Sequence, residues 1–141
     1  MKHGKVNFSV LRIMALIGLY SWVTACTHNN PTQTQNNIPL AATLSSLQAN
    51  VFTPQCVNAG CHPGSGAPFS LATGQSYANL VNMPSTYQGL QRVTPGNAQL
   101  SSLYLKTLGR LGARMPPSGS ALTQAQSDSL ATWINRGALN N

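Results

Sequence analysis

The stretch Cys56-Val57-Asn58-Ala59-Gly60-Cys61-His62 holds the one dense cluster of reactive side chains in this 141-residue sequence. Two thiols followed directly by an imidazole is the arrangement that attaches a c-type haem, with both sulfurs as thioethers and the histidine on iron. Four residues separate the cysteines, where the common signature has two. Residues five apart in a regular helix point about 140° apart, so the chain must loop between Cys56 and Cys61. Gly60 is free to take the positive φ that such a loop needs.

The first 25 residues have the features of an export signal. Three basic residues precede residues 13–20, an apolar run too short to span a bilayer as a mature anchor. The signal ends in Val23-Thr24-Ala25-Cys26, which resembles the lipobox of bacterial lipoproteins, where the cysteine becomes the lipidated first residue. We therefore predict export and a lipid anchor at Cys26, the alternative being cleavage near Ala25 without lipid. The resemblance to bacterial lipoproteins also implies the outer membrane, because Thr27 stands where aspartate would favour inner-membrane retention.

Composition divides the rest of the chain into a tether and one domain. Residues 26–38 are rich in Asn, Thr and Gln, which is typical of a flexible tether. Residues 39–141 are enough for one small domain with one core. Beyond the signal, five basic residues stand against Asp128, a net charge of +4. Without a Lys/Arg cluster this does not indicate a nucleic-acid partner, whereas a weakly basic surface suits an acidic redox partner protein.

The spacing of apolar residues predicts an all-α domain with long loops. Leu40, Leu44, Leu47 and Val51 indicate a first helix, which Thr53-Pro54 should end. A short helix is predicted over residues 75–81, and a third helix, capped by Asn97, should end before Gly109. Thr123 and Gln126 form a capping-box pattern for a last helix that stops at Gly137 and turns three residues inward, Leu130, Trp133 and Ile134.

A haem bound by His62 needs a second ligand on iron or an open site opposite. The other two histidines, His3 and His28, precede the domain, so the candidates are Met115, Met83 and Lys106. Met115 is favoured because it lies in Arg114-Met115-Pro116-Pro117, where the prolines stiffen the backbone and can hold the thioether toward iron.

From about Leu40 to Ala138 the chain resembles small bacterial class I-like c-type cytochrome domains that have a Cys-x4-Cys-His site. The resemblance is carried by Phe52-Thr53-Pro54-Gln55-Cys56 leading into Cys61-His62, by Arg92-Val93-Thr94-Pro95-Gly96 with Leu103-Tyr104-Leu105-Lys106, by Arg114-Met115-Pro116, and by Trp133-Ile134-Asn135-Arg136-Gly137-Ala138. It implies a cytochrome c-like domain of three to five helices around one haem c. It also implies attachment at Cys56 and Cys61, iron ligation by His62 and Met115, and first and last helices that cross.

A six-coordinate haem predicts single-electron transfer, and the protein would then be a carrier and not an enzyme. Arg92 or Arg110 is expected to pair with the haem propionates. The haem is expected to be buried among Phe52, Leu71, Leu80, Leu90, Leu100 and Trp133.

Other functions were weighed against electron transfer. If Met115 does not bind, the open iron allows a haem enzyme. If Cys56 and Cys61 form a disulfide, the chain is a haem-free binding or structural lipoprotein, a credible alternative in an exported protein. A structural zinc site lacks its fourth ligand. A hydrolase would have only His62 and Asp128 from which to build its site.

Overall fold

The computed structural model describes residues 40–63 and 68–141. The described residues form helices and no β-strand. They also contain isolated β-bridges, such as the one between Val81 and Val93. The predicted all-helical class is therefore confirmed for this part of the chain. The predicted export signal, its lipobox residue Cys26 and the tether lie outside the described residues. In the described part, every helix falls short of the length and apolarity that a membrane crossing requires.

The first helix is present but begins later and ends later than predicted, since Leu40 precedes it. Helix α1 spans Leu44–Leu47, is capped by Thr43, and continues directly into a π-helix, Gln48–Val57, which contains Pro54. The prediction that Thr53-Pro54 ends the helix is therefore wrong. In an α-helix the carbonyl of Asn50 would accept from residue 54, but proline has no N–H. The segment is a π-helix, in which hydrogen bonds run from residue i+5 to residue i, and its Asn50 carbonyl accepts from Nε2 of Gln126 at 2.9 Å.

The middle of the domain contains three short helical elements. Helix α2, Ser76–Leu80, lies within the predicted range. A 3₁₀ turn, Ala98–Leu100, is capped by the Asn97 side chain, and helix α3, Ser102–Thr107, ends before Gly109 as predicted. The two are separated at Ser101, whose backbone is extended and whose hydroxyl accepts from the Thr94 amide at 2.9 Å. This break leaves Leu100 49% exposed, so its predicted burial around the haem is wrong.

The last helix agrees with its prediction in detail. Helix α4 spans Gln124–Asn135. The Thr123 hydroxyl accepts from the Gln126 amide at 3.2 Å, and Oε1 of Gln126 accepts from the Thr123 amide at 2.9 Å, which completes the capping box. The three side chains predicted to face inward are buried: Leu130, Trp133 and Ile134.

The core forms where α1 and α4 contact each other, and α3 also packs against α4. Thirteen apolar residues are buried there, among them Leu47, Phe52, Leu80, Leu130 and Trp133. A buried polar side chain, Gln48, joins the first helix to the segment before α2. Its Nε2 donates to the carbonyl of Leu71 at 2.9 Å, and its Oε1 accepts from the Ser76 hydroxyl. The end of the first helix is thereby held against the segment that follows His62.

Candidate functional site

A cleft beside the core brings together residues from both ends of the domain. Its walls are mostly apolar, and it contains about 1030 Å³ of space not filled by protein, counting the solvent at its mouth. Four side chains singled out from the sequence line it: Cys56, Cys61, His62 and Met115.

The turn after the π-helix brings both cysteines to the cleft. The Gly60 amide donates to the Val57 carbonyl at 2.8 Å, and the His62 amide donates to the Cys56 carbonyl at 2.9 Å. Gly60 has a φ of 77°, as its place in the sequence predicted. In a regular helix, Cys56 and Cys61 would point in different directions, but the loop between them allows both to reach the cleft. Both cysteines are free thiols in this structure.

The two thiols have different environments. Burial raises the pKa of Cys56 from 9.0 to about 11, and the neighbouring Cys61 thiol adds to this shift. The Cys56 Sγ lies 3.8 Å from the Val51 carbonyl oxygen, toward the helix interior. The Cys61 Sγ lies 3.6 Å from the carbonyl of Ala59 in its own turn, and this contact is exposed. Cys56 is consequently a neutral thiol at neutral pH.

The imidazole of His62 is oriented by the backbone of a neighbouring loop. Its Nδ1 lies 3.1 Å from the carbonyl oxygen of Phe69. Because a carbonyl can only accept, Nδ1 carries the proton and donates, which leaves the Nε2 lone pair available to a metal. The Leu71 amide also donates to the His62 carbonyl at 2.9 Å, and the Phe69 ring packs on the imidazole with centroids 4.8 Å apart. A backbone carbonyl of this kind is a common partner of metal-binding histidines.

Phe69 was missed by the sequence analysis. The Phe69 backbone carbonyl orients His62. Which carbonyl comes close to His62 depends on how the loop folds, and the residue type does not predict this. The aromatic side chain close after His62 was the one available signal. Its ring also lies 4.0 Å from the Arg92 guanidinium carbon, so it is packed between His62 and a cation.

The sequence candidates for a second ligand occupy different positions. Met115 lines the cleft, and its amide donates to the Lys106 carbonyl at 2.9 Å, which attaches its loop to α3. Lys106 also lines the cleft, but its Nζ donates to the Tyr87 hydroxyl at 3.0 Å. Met83 is 36% exposed and is not part of the cleft wall.

Two arginines were expected to pair with acidic groups of a ligand, and they also differ in position. Arg92 lines the cleft and donates from Nη1 to the Asn79 carbonyl at 2.7 Å, whereas Arg110 is exposed and away from it. Among the described residues that form the wall, Arg92 and Lys106 are cationic and none has a carboxylate. The cleft is therefore electrostatically suited to a largely apolar ligand that carries acidic groups.

Only some of the apolar residues that were expected to surround the ligand line the cleft. Leu71 and Leu80 line it, while Phe52 and Trp133 belong to the core. Leu90, which is half-buried, is not part of the wall. The prediction that all six residues surround one ligand is therefore wrong for four of them, and Tyr87 and Leu103 contribute to the wall instead.

Comparison with protein-family models, curated proteins and solved structures finds no match to this chain. In the part of the chain that the structure describes, no three His, Cys, Asp or Glu side chains are grouped to hold a bare metal ion. The donors of the cleft are instead two thiols, one imidazole and one thioether on apolar walls. Thiols can form covalent thioether bonds to a ligand, and an imidazole and a thioether can bind a metal that the ligand carries.

Proposed function

We propose that this protein is an electron carrier with one c-type haem, held in a small class I-like cytochrome domain. Cys56 and Cys61 would attach the haem through thioethers, and His62 and Met115 would bind its iron. The observation that carries the proposal is the convergence of these four side chains on one apolar cleft, although Met115 is distant from the cysteines in sequence. When bound, such a haem supplies a one-electron change at iron.

The chain's own residues contribute orientation and tuning. Nδ1 of His62 donates to the Phe69 carbonyl at 3.1 Å, which aligns the ring and makes Nε2 a stronger donor to a metal. Ligation by a methionine thioether and a histidine imidazole would raise the reduction potential of the haem, and apolar walls would favour its less charged, reduced state. Together these features favour a carrier that accepts electrons readily.

Arg92 is the residue that we assign to the haem propionates. Arg92 lines the cleft, whereas Arg110 does not. The Nη1 of Arg92 donates a hydrogen bond to the Asn79 carbonyl. A guanidinium has five N–H donors in a planar fork, so the others can meet a carboxylate. Phe69 below the guanidinium limits its movement.

We further propose that the protein is exported and attached by lipid at Cys26 to the outer membrane, facing the periplasm. The sequence of residues 1–27 supports this part of the proposal. The weakly basic mature chain suits an acidic redox partner, and added salt should slow their association.

The test is to produce the full chain in a host with haem-attachment machinery. A covalent haem gives a Soret band that survives acid-acetone extraction and adds the mass of one haem. Cys56→Ala with Cys61→Ala should abolish both signals. Colourless protein with a Cys56–Cys61 disulfide would refute the proposal and support the haem-free lipoprotein instead.

A second pair of variants tests the iron ligand. Met115→Leu should remove the weak far-red charge-transfer band of methionine-ligated ferric haem and open the iron to carbon monoxide. Met83→Leu is the matched control, because Met83 is not part of the cleft wall, and it should leave the band unchanged. Equal spectra for the two variants would exclude Met115 as the ligand.

A further inference from the structure

The segment that carries Met115 is a glycine-rich loop, residues 109–119, which we call the Met115 loop. Three backbone hydrogen bonds attach it to α3, the first from the Gly109 amide to the Lys106 carbonyl at 3.1 Å. The Arg110 amide donates to the Leu105 carbonyl at 2.8 Å, and the Met115 amide donates to the Lys106 carbonyl at 2.9 Å. Residues 111–114 lie between these two bonds, so other contacts must determine their path.

Those contacts come from Tyr87 and Lys106. The Lys106 ammonium donates to the Tyr87 hydroxyl at 3.0 Å and to the Leu111 carbonyl at 3.4 Å. The Tyr87 hydroxyl in turn packs directly on the backbone of Gly112. A Cβ at that position would lie only 2.6 Å from the hydroxyl oxygen, and the φ of Gly112 is 59°. Glycine is therefore required here both by the backbone and by the close approach of Tyr87.

We propose that Tyr87, Lys106 and Gly112, here named the Tyr87 clamp, are positioning residues for Met115 as an iron ligand. The inference depends on the proposed function. A methionine side chain has three rotatable bonds and no directional anchor of its own. Its thioether can stay at one point of the cleft only if the backbone that carries it is held. The clamp holds that backbone through the Lys106 side chain and Tyr87, in addition to the backbone hydrogen bonds to α3.

The matched pair of variants is Gly112→Ala and Gly119→Ala. Both glycines are in the Met115 loop and both have positive φ, 59° and 81°, so alanine brings backbone strain in both cases. Only at Gly112 does the new methyl group meet an atom, because nothing lies within 4 Å of a Cβ at Gly119. Any difference between the variants therefore reports the contact with Tyr87.

In haem-loaded full chain, Gly112→Ala should lower the far-red methionine band by roughly tenfold or more, while the Soret band and covalent haem are retained. Gly119→Ala should keep most of the band. Adding Tyr87→Phe to Gly112→Ala removes the colliding oxygen and leaves the ring carbon Cζ at 3.5 Å, an ordinary contact. The double variant should then differ from Tyr87→Phe alone only by about the small loss that Gly119→Ala shows, which is the effect of backbone strain without a collision. An additive double variant would overturn the proposal.

Hydrogen exchange in haem-free full chain gives a second readout. Gly112→Ala should speed exchange of the Met115 amide roughly tenfold or more relative to Gly119→Ala, while the amides of α4 exchange as in the unaltered protein. Equal exchange at Met115 would overturn the clamp whether or not haem binds. Failure of haem attachment in the unaltered chain would instead refute the proposed function, so the two failures are distinguishable.

Discussion

The Cys56 thiol should be far less reactive in the folded, haem-free protein than in the unfolded chain. Burial, and secondarily the Cys61 thiol, raises its pKa from 9.0 to about 11. The thiolate is the nucleophile, so at pH 8 a shift of this size lowers the reactive fraction roughly 100-fold. At 1.36 kcal/mol per pKa unit, the same shift corresponds to roughly 2.7 kcal/mol of free energy.

The sign of the effect on stability follows from proton linkage. The folded state holds the Cys56 proton more tightly, so this thiol costs no stability below pH 9. As the pH rises from 9 toward 11, the unfolded chain loses its proton first, and the free energy of unfolding falls. Between pH 8 and pH 10 the loss from Cys56 should be roughly 1.3 kcal/mol.

The assay is the pH dependence of alkylation, read at the Cys56 peptide by mass spectrometry. Full chain is purified under reducing conditions from a host that lacks haem-attachment machinery, and the same protein in urea is the reference. The Cys61→Ser variant separates the two causes: because burial is the larger one, its Cys56 midpoint should fall only part of the way toward 9. A folded-state midpoint near 9 would refute the burial argument.

Two further changes test how the fold is held together, each by urea unfolding followed by circular dichroism. Thr123→Ala removes the hydroxyl that caps α4 and should cost about 1 kcal/mol of unfolding free energy, whereas Thr123→Ser should cost much less; equal losses would contradict the capping role. Gln48→Ala leaves the buried Leu71 carbonyl without its donor and should cost about 1–3 kcal/mol. The control Gln124→Ala, at an exposed residue, should stay within about 0.5 kcal/mol, and a loss as large as that of Gln48→Ala would contradict the reasoning.

Elements held by short-range contacts could be predicted from the sequence. The α4 capping box joins Thr123 to Gln126, three residues away, so both partners are visible in one short stretch. The positive φ of Gly60 follows in the same way from the need to loop between two nearby cysteines. The helix end at Thr53-Pro54 was predicted wrongly, because the chain continues through Pro54 as a π-helix, and Gln126 from the other end of the domain donates to its Asn50 carbonyl.

The candidate site also combines features that the sequence predicts with features that depend on contacts between distant residues. The types of donor, two thiols, an imidazole and a thioether, could be read from spacing and composition. The sequence could not indicate that Phe69 supplies the carbonyl for His62, since that contact depends on how a loop folds back. Nor could it separate Arg92 from Arg110, or explain why Gly112 must be a glycine, because each depends on a neighbour distant in the chain.

The sequence alone determined the helical class, the last helix with its cap, and the cluster of Cys56, Cys61 and His62, because hydrogen bonds and turns over a few residues depend on local residue type. The tertiary structure decided that Met115 lines the same cleft as His62 while Met83 lies outside it, and that Pro54 is accommodated within a helix. Such outcomes depend on packing between distant segments, where the stabilising partner of an atom is chosen by the whole fold.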